Sequence, residues 1–210
     1  MQPKRFLSFV KSIHPWMGEY VFDPEDSQVR YILDRILREL TTYLDWWVSE
    51  EMENHLIALK DLTNFDGLEN IQKYSGNRIY PQVIGKIRRV GREIEYWKSG
   101  GGTFPCVEHV NPISNIISGL VKSDAAKLYK RSWEQLDVKE KSICIKALHD
   151  IMVISPICLI AKNEDSRLKK NQRGEDPWST YDSPKNGNPI KRRMLRAQTL
   201  PPRKLILNFL

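Results

Sequence analysis

The stretch that decides the fold is DPEDSQVRYILDRILRELTTYLDWWV, residues 23–48. Asp23 is a good N-cap and Pro24 suits a first helical turn, while Glu25 and Asp26 complement the positive end of a helix dipole. The spacing of apolar residues after this cap predicts one long amphipathic helix, with Trp46 beside its apolar stripe. These apolar residues, three or four apart, are Val29, Ile32, Leu33, Ile36, Leu37, Leu40, Tyr43, Leu44, Trp47 and Val48.

Similar caps and spacings occur on both sides of this stretch. Phe6, Phe9 and Val10 would share one face of a short helix over residues 5–13. The β-branched runs at 143–145 and 151–154 lie inside segments of helical length, so they do not predict strands. The sequence therefore predicts an all-α fold, an irregular multi-helix bundle with a basic, loop-rich C-terminal extension. Its later helices would begin near Asp66, Pro81, Asn111, Ser123, Asp137 and Ser155.

The positive charge of the 210-residue chain is concentrated at its C-terminal end. The whole chain carries 33 Lys and Arg against 26 Asp and Glu, a formal charge of +7, whereas residues 166–210 alone carry +8. Residues 164–189 have almost no aliphatic side chains and many turn formers. We therefore predict a helical body over residues 1–163 and, over residues 164–210, a basic extension with a short helix and an apolar terminus.

Composition excludes three classes of protein. Apolar residues make up 40% of the chain, too many for a disordered protein, and three cysteines are too few for a disulfide scaffold. The apolar runs are much shorter than the roughly 18 residues of a membrane-spanning helix. Lys11 interrupts the first apolar stretch, and no cleavage site of a secretory signal follows it. We therefore expect an intracellular protein, cytoplasmic or nuclear, with reduced thiols.

The sequence contains no recognisable catalytic motif. It lacks the nucleophile turn G-x-S-x-G and the glycine-rich loops that bind phosphate. The three glycines at 100–102 follow a predicted helix, which is typical of a helix stop. Residues 24–26 (Pro-Glu-Asp) resemble an acidic nuclease motif, but a helix N-terminus accounts for them. We therefore predict that the protein is not an enzyme and uses no cofactor.

Cys106, His109, Cys144 and His149 are the candidate zinc ligands. A cysteine and a histidine three positions apart can share a zinc ion, and a second such pair would complete a tetrahedral site. Cys144 and His149, however, are five positions apart on a predicted helix, about 140° around its axis, so their side chains diverge. The prediction is that no metal binds, and the sequence alone leaves zinc open.

Clusters of basic residues are the remaining chemical signal. In the predicted body, Lys86 and Arg89 line the polar side of a helix, together with Arg88 and Arg92. Such clusters contact phosphates without reading sequence. A solubilising tail and an ordinary solvated helix face are the alternative interpretations. The candidate phosphate-binding residues of the extension are Arg167, Lys169, Lys170, Arg173, Lys191, Arg192, Arg193 and Arg196.

The charge layout predicts a non-enzymatic structural or accessory protein that binds nucleic acid, RNA more than DNA, through its basic C-terminal segment. The alternative is a protein-interaction module, or a subunit of a larger polymerase-type assembly, that docks or self-associates through its apolar C-terminus. Trp178 is an isolated aromatic residue in a polar segment, and we expect it, with Leu205, Leu207 and Phe209, to contact a partner. In composition alone the chain resembles small viral structural or accessory proteins.

Overall fold

The computed structural model describes residues 1–74, 76–94, 104–169, 176, 178–197 and 200–210. By its internal contacts the chain divides into two compact units. The first unit comprises Met1–Leu44, Asn111–Ser155 and Gln198–Leu210, and the second comprises Asp45–Val110 and Pro156–Ala197. The boundary between residues 163 and 164, which rests on composition, stays a prediction.

The first unit is helical throughout its described regular structure. Asp26 caps its second helix by accepting hydrogen bonds from the backbone N–H groups of Gln28 and Val29, so the cap lies three residues after the predicted one, Asp23. Two single turns of 3-10 helix, Leu128–Lys130 and Trp133–Gln135, also belong to this unit. The α-helices are α1 (Pro3–Phe22), α2 (Ser27–Thr41), α6 (Ile113–Lys122), α7 (Val138–Val153) and α10 (Arg203–Leu207).

One apolar cluster forms the core of the first unit. It combines Phe6 and Met17 of α1 and Leu33 and Leu37 of α2 with residues of α6, α7 and α10. The approach between α1 and the 3-10 turns is close, because a Cβ on Gly18 would lie 2.5 Å from the carbonyl oxygen of Tyr129. The chain therefore needs glycine at position 18.

His14 of α1 is buried against the same turns. Its Nε2 lies 2.8 Å from the carbonyl oxygen of Arg131, so Nε2 carries the hydrogen and donates it. The ring lies between Tyr129 and Trp133, with centroid distances of 5.2 and 5.4 Å. Burial lowers the pKa of His14, which keeps this core histidine neutral.

The second unit is built around a four-stranded sheet with the order β2-β3-β1-β4. The strands are β1 (Trp46–Ser49), β2 (Pro105–His109), β3 (Ile157–Ala161) and β4 (Arg192–Arg196). The two central strands, β1 and β3, are parallel, with Trp47 opposite Cys158. The outer strands are antiparallel to their neighbours, and Val48 lies opposite Arg193 of β4.

Both faces of the sheet are covered. On one face, Trp46, Val48 and Leu159 pack in a core that includes side chains of α3, α4 and α5. On the other face, Cys158 and Ile160 pack against residues between β3 and β4, namely Leu168, Tyr181 and Ile190. Among its described residues, the helices of this unit are α3 (Glu50–Thr63), α4 (Gly67–Lys73), α5 (Gly85–Glu93), α8 (Lys162–Arg167) and α9 (Ser179–Asp182), with a 3-10 turn at Gly76–Arg78 and a π-helical turn at Tyr80–Ile84.

The predicted all-α fold is wrong, because the second unit contains this mixed sheet. The prediction of one helix through residue 48 fails at Thr41, where α2 ends, and β1 follows at Trp46. The helix predicted after Ser155 is the strand β3, and the short helix predicted around residues 191–196 is the strand β4. Pairing between strands far apart in the chain outweighs these local helical signals.

No helix of the described residues is both long enough and apolar enough to cross a membrane. The longest, α1, has 20 residues, including Lys4, Arg5 and Lys11.

Candidate nucleic-acid interface

The predicted basic cluster at 191–196 lies on or next to β4. Because β4 pairs with β1, this cluster lies beside the end of β1 and the first turn of α3, where Ser49 ends the strand and caps the helix. That first turn contains Glu50, Glu51 and Glu53. The pairing of two distant segments thus brings acidic side chains next to the predicted phosphate-binding residues.

Two cations of the cluster form ion pairs with these carboxylates. The Nε of Arg193 donates hydrogen bonds of 2.8 and 2.9 Å to the carboxylate of Glu53, and its Nη2 donates another to Glu53. This contact raises the pKa of Arg193. The ammonium of Lys191 lies 3.6 Å from a carboxylate oxygen of Glu50, and both side chains are largely exposed. Much of the local positive charge is therefore balanced within the unit.

Arg192 joins an aromatic group that closes one face of the sheet. Its guanidinium lies 4.2 Å from the ring centroid of Trp178 and 2.9 Å from a carboxylate oxygen of Asp182. Trp178 in turn contacts Trp47 and Tyr181 edge to face, at centroid distances of 5.0 and 5.1 Å. Trp178, predicted to contact a partner, therefore packs against the protein's own sheet, and the cation–π contact with Arg192 adds to this packing.

Two further arginines of the extension donate to backbone carbonyls. Arg196 donates to the carbonyl oxygen of Tyr74, and burial lowers its pKa. Arg167 donates through Nε to Asn186, at 2.9 Å, and through Nη2 to Asn188. These bonds hold both side chains in place. Lys169 is half-buried. Lys170 and Arg173, also predicted to bind phosphate, lie outside the described residues.

The cations of α5 have a different environment. Ile87 faces the core, whereas Lys86, Arg89 and Arg92 are exposed at spacings of three residues along the helix. Lys86 lies 4.6 Å from the ring centroid of Phe65. Among the described residues, no carboxylate forms an ion pair with any of these three cations.

Arg88 completes the basic character of the helix. Its Nη2 donates a 3.1 Å hydrogen bond to the carbonyl oxygen of Pro105, the first residue of β2. The only acidic residue within Gly85–Glu93 is Glu93 itself. The helix therefore presents a net positive surface to solvent.

Comparison with known proteins identifies no relative: no protein-family model, curated protein or solved structure matches this chain. What the protein binds must therefore be inferred from its own residues.

The four candidate zinc ligands lie in different units. Cys106 and His109 are on β2 of the second unit, and Cys144 and His149 are on α7 of the first. Burial raises the pKa of the Cys144 thiol to about 12, and the Nε2 of His149 lies 3.1 Å from the carbonyl oxygen of Pro201. Within the described ranges there is no group of three or more His, Cys, Asp or Glu side chains that could hold a metal ion.

The apolar C-terminus divides into anchored and exposed residues. Ile206 of α10 is completely buried in the core of the first unit, and Leu207 packs against that core. Leu205, Phe209 and Leu210 are each about 40% exposed, and Lys4 lies 5.1 Å from the ring centroid of Phe209. The terminus thus packs on its own unit through one side and leaves an apolar surface on the other.

The sequence does not predict that Glu50 and Glu53 pair with the basic cluster at 191–196. The signal that points to them is the charge of residues 1–60, which carry 10 acidic and 7 basic residues, with Glu50, Glu51 and Glu53 close together. Opposite charges on segments that pair in a sheet attract each other across the strands. Without the pairing of β1 and β4, however, nothing in the sequence selects these carboxylates.

Proposed function

We propose that the protein binds the phosphate backbone of nucleic acid without reading its sequence, and that α5 is the principal contact. The observation that carries this proposal is the row of exposed cations, Lys86, Arg89 and Arg92, without acidic partners among the described residues. Exposed cations in a row gain binding energy by displacing the counterions condensed on the polymer. Over six residues of α-helix this row spans about 9 Å, since each residue rises about 1.5 Å.

The C-terminal segment is then a secondary contact. Arg193 is held by Glu53 and Arg192 by Asp182, and a phosphate would have to compete with these carboxylates. Arg167 and Arg196 keep their charge and can add to the field around a bound polymer. The preference for RNA over DNA stays a prediction, as do the intracellular location and the viral character.

We expect the triple variant Lys86→Gln, Arg89→Gln and Arg92→Gln to bind RNA more weakly, by roughly tenfold or more at low salt. The slope of log K against log salt should fall by about 2, because each contact to a single-strand phosphate contributes about 0.7. Titration of a fluorescent single-stranded RNA and of a DNA of the same sequence, each at four salt concentrations, measures both quantities and the preference between the polymers.

The matched control is Lys11→Gln, Arg30→Gln and Lys139→Gln, which removes the same charge from exposed positions of the first unit. This control should keep the wild-type salt slope. Equal losses in the two triple variants would contradict a site on α5. Deleting residues 186–210 is a poor test of the tail, because it removes β4 and the buried Ile206 along with the cations.

A second candidate function is docking of a protein partner, or of a second copy, on the C-terminal apolar surface. The observation that favours it is the exposure of Leu205, Phe209 and Leu210 around the buried anchor Ile206. Adjacent exposed apolar side chains of this kind often mark an interaction surface.

For self-association, light scattering of the wild type and of the double variant Leu205→Asp, Phe209→Asp is decisive. We expect the wild type to exceed the monomer mass at high concentration and the variant to stay monomeric, because buried carboxylates disfavour an apolar interface. A wild type that remains monomeric at every concentration would exclude the second copy as the occupant.

A further inference from the structure

A cavity in the second unit lies apart from the basic row of α5. Its volume is about 420 Å³, and it is bounded by the first turns of α3, by α8 and by residues 187–191. The side chains that matter for its chemistry are those of Glu50, Glu51, Asn54, Glu164, Arg167 and Lys191.

Glu164 is the unusual member of this lining, because a carboxylate rarely occupies so buried a position. The residue is only 3% exposed. Its Oε2 accepts hydrogen bonds from the hydroxyl of Ser49 and from the backbone N–H of Ala161, the latter at 2.9 Å. Glu164 lines the cavity, and no hydrogen bond from the described residues reaches its Oε1.

The surroundings of Glu164 disfavour its charged form, because burial and a neighbouring carboxylate outweigh the groups that stabilise the charge. Desolvation raises the pKa of Glu164, and the nearby carboxylate of Glu51 raises it further. The hydrogen bonds from Ser49 and Ala161 and the charge of Arg167 act in the opposite direction, but the pKa of Glu164 remains raised. A hydrogen-bond donor placed in the cavity would therefore supply a partner for Oε1 of Glu164, which accepts no hydrogen bond from the described residues.

The rest of the lining favours a compact cation as that donor. Three carboxylates face two basic side chains, and the more exposed of the two, Lys191, already lies near Glu50. Glu51 accepts a hydrogen bond from the side-chain amide of Asn163, which fixes its position. A primary ammonium carries three N–H donors and a full charge, which suits the acceptors on Glu51, Asn54 and Glu164.

We propose that this cavity binds a primary alkylammonium group, with the Oε1 atom of Glu164 as its main acceptor. The group can belong to a free polyamine or to a lysine side chain, since both present the same ammonium on a flexible alkyl chain. This site is independent of nucleic-acid binding by α5, and each can fail without the other.

Isothermal titration calorimetry of the full chain with spermidine, and separately with Nα-acetyl-lysine N-methylamide, tests the proposal. We expect saturable binding of at least one probe and a loss of at least tenfold in affinity in the Glu164→Gln variant. Glutamine keeps an oxygen for Ser49 and Ala161 but places an NH2 donor where Oε1 stood, so it repels the ammonium.

The control Asp61→Asn removes one negative charge from an exposed position of α3, away from the cavity, and should bind like the wild type. Should Glu164→Gln fail to fold, Glu51→Gln provides a second variant with a more exposed side chain and an expected loss in the same direction. The response to the two probes identifies the source of the ammonium. No saturable binding of either probe, or equal weakening in the variant and in Asp61→Asn, overturns the proposal.

Discussion

Replacing Trp46 with alanine should destabilise the protein by about 3–5 kcal/mol, the cost of removing a large buried aromatic side chain. Trp46 is completely buried in β1, in the core that covers one face of the sheet, and its ring centroid lies 6.4 Å from that of Tyr80. Alanine would leave a cavity that the flanking strands β3 and β4 cannot close without losing their pairing with β1. The midpoint and slope of urea unfolding measure the loss.

The adjacent Trp47 is the matched control for this substitution. It is half-buried on the opposite face of the sheet, where it contacts Trp178. We expect Trp47→Ala to cost clearly less than Trp46→Ala, because part of its surface is already in water. Equal losses would contradict the difference in burial between the two side chains.

This pair of residues also shows why the strand escaped prediction. In the sequence, Leu44, Trp47 and Val48 continue the helical spacing of α2, whereas β1 has only four residues, too few for alternation to stand out. Its parallel partner β3 begins more than 100 residues later. Local patterns carry no information about a contact at that distance.

The strand β3 was ambiguous for a different reason. All five residues from Ile157 to Ala161 are buried, since the sheet is covered on both faces. A short, continuous apolar run fits a central strand and a buried helical turn equally well. Pro156 favours a helix start by position, but it is equally compatible with the residue that precedes a strand.

Features that depend on neighbouring residues were more predictable. Asp66 accepts a hydrogen bond from the N–H of Glu69 as the cap of α4, and Asp137 forms a capping box with Glu140 at the start of α7. Both helix starts follow from the sequence, because the cap and the group it satisfies are three residues apart.

The charge pattern illustrates the same limit at the candidate site. The excess of +8 at the C-terminal end can be counted directly along the sequence. The ion pairs of Arg193 with Glu53 and of Lys191 with Glu50, in contrast, join segments about 140 residues apart and depend on the fold. The exposed cations Lys86, Arg89 and Arg92 on α5 could be predicted from the sequence, because their position requires only the helical period and one buried face. The cavity at Glu164 needs three separate segments and could not be found locally.

Substitution of Ile206 with alanine should also be strongly destabilising, by about 2–5 kcal/mol, while Leu205→Ala should change stability by less than about 0.5 kcal/mol. Ile206 has no exposed surface and lies in the core of the first unit, whereas its neighbour Leu205 is 42% exposed. Urea unfolding of both single variants measures the difference.

Comparing Ile206→Ala with Leu205→Ala separates the packing role of α10 from a role in docking a partner, which a deletion of the helix would remove together. If α10 serves its own unit through Ile206, then removing residues 203–210 loses stability and any bound partner together, and neither loss can be assigned. A stable Leu205→Ala variant that loses a partner would place the docking surface on the exposed side of α10. An Ile206→Ala variant with wild-type stability would instead mean that the helix does not pack on the core, because a buried isoleucine cannot be truncated without cost.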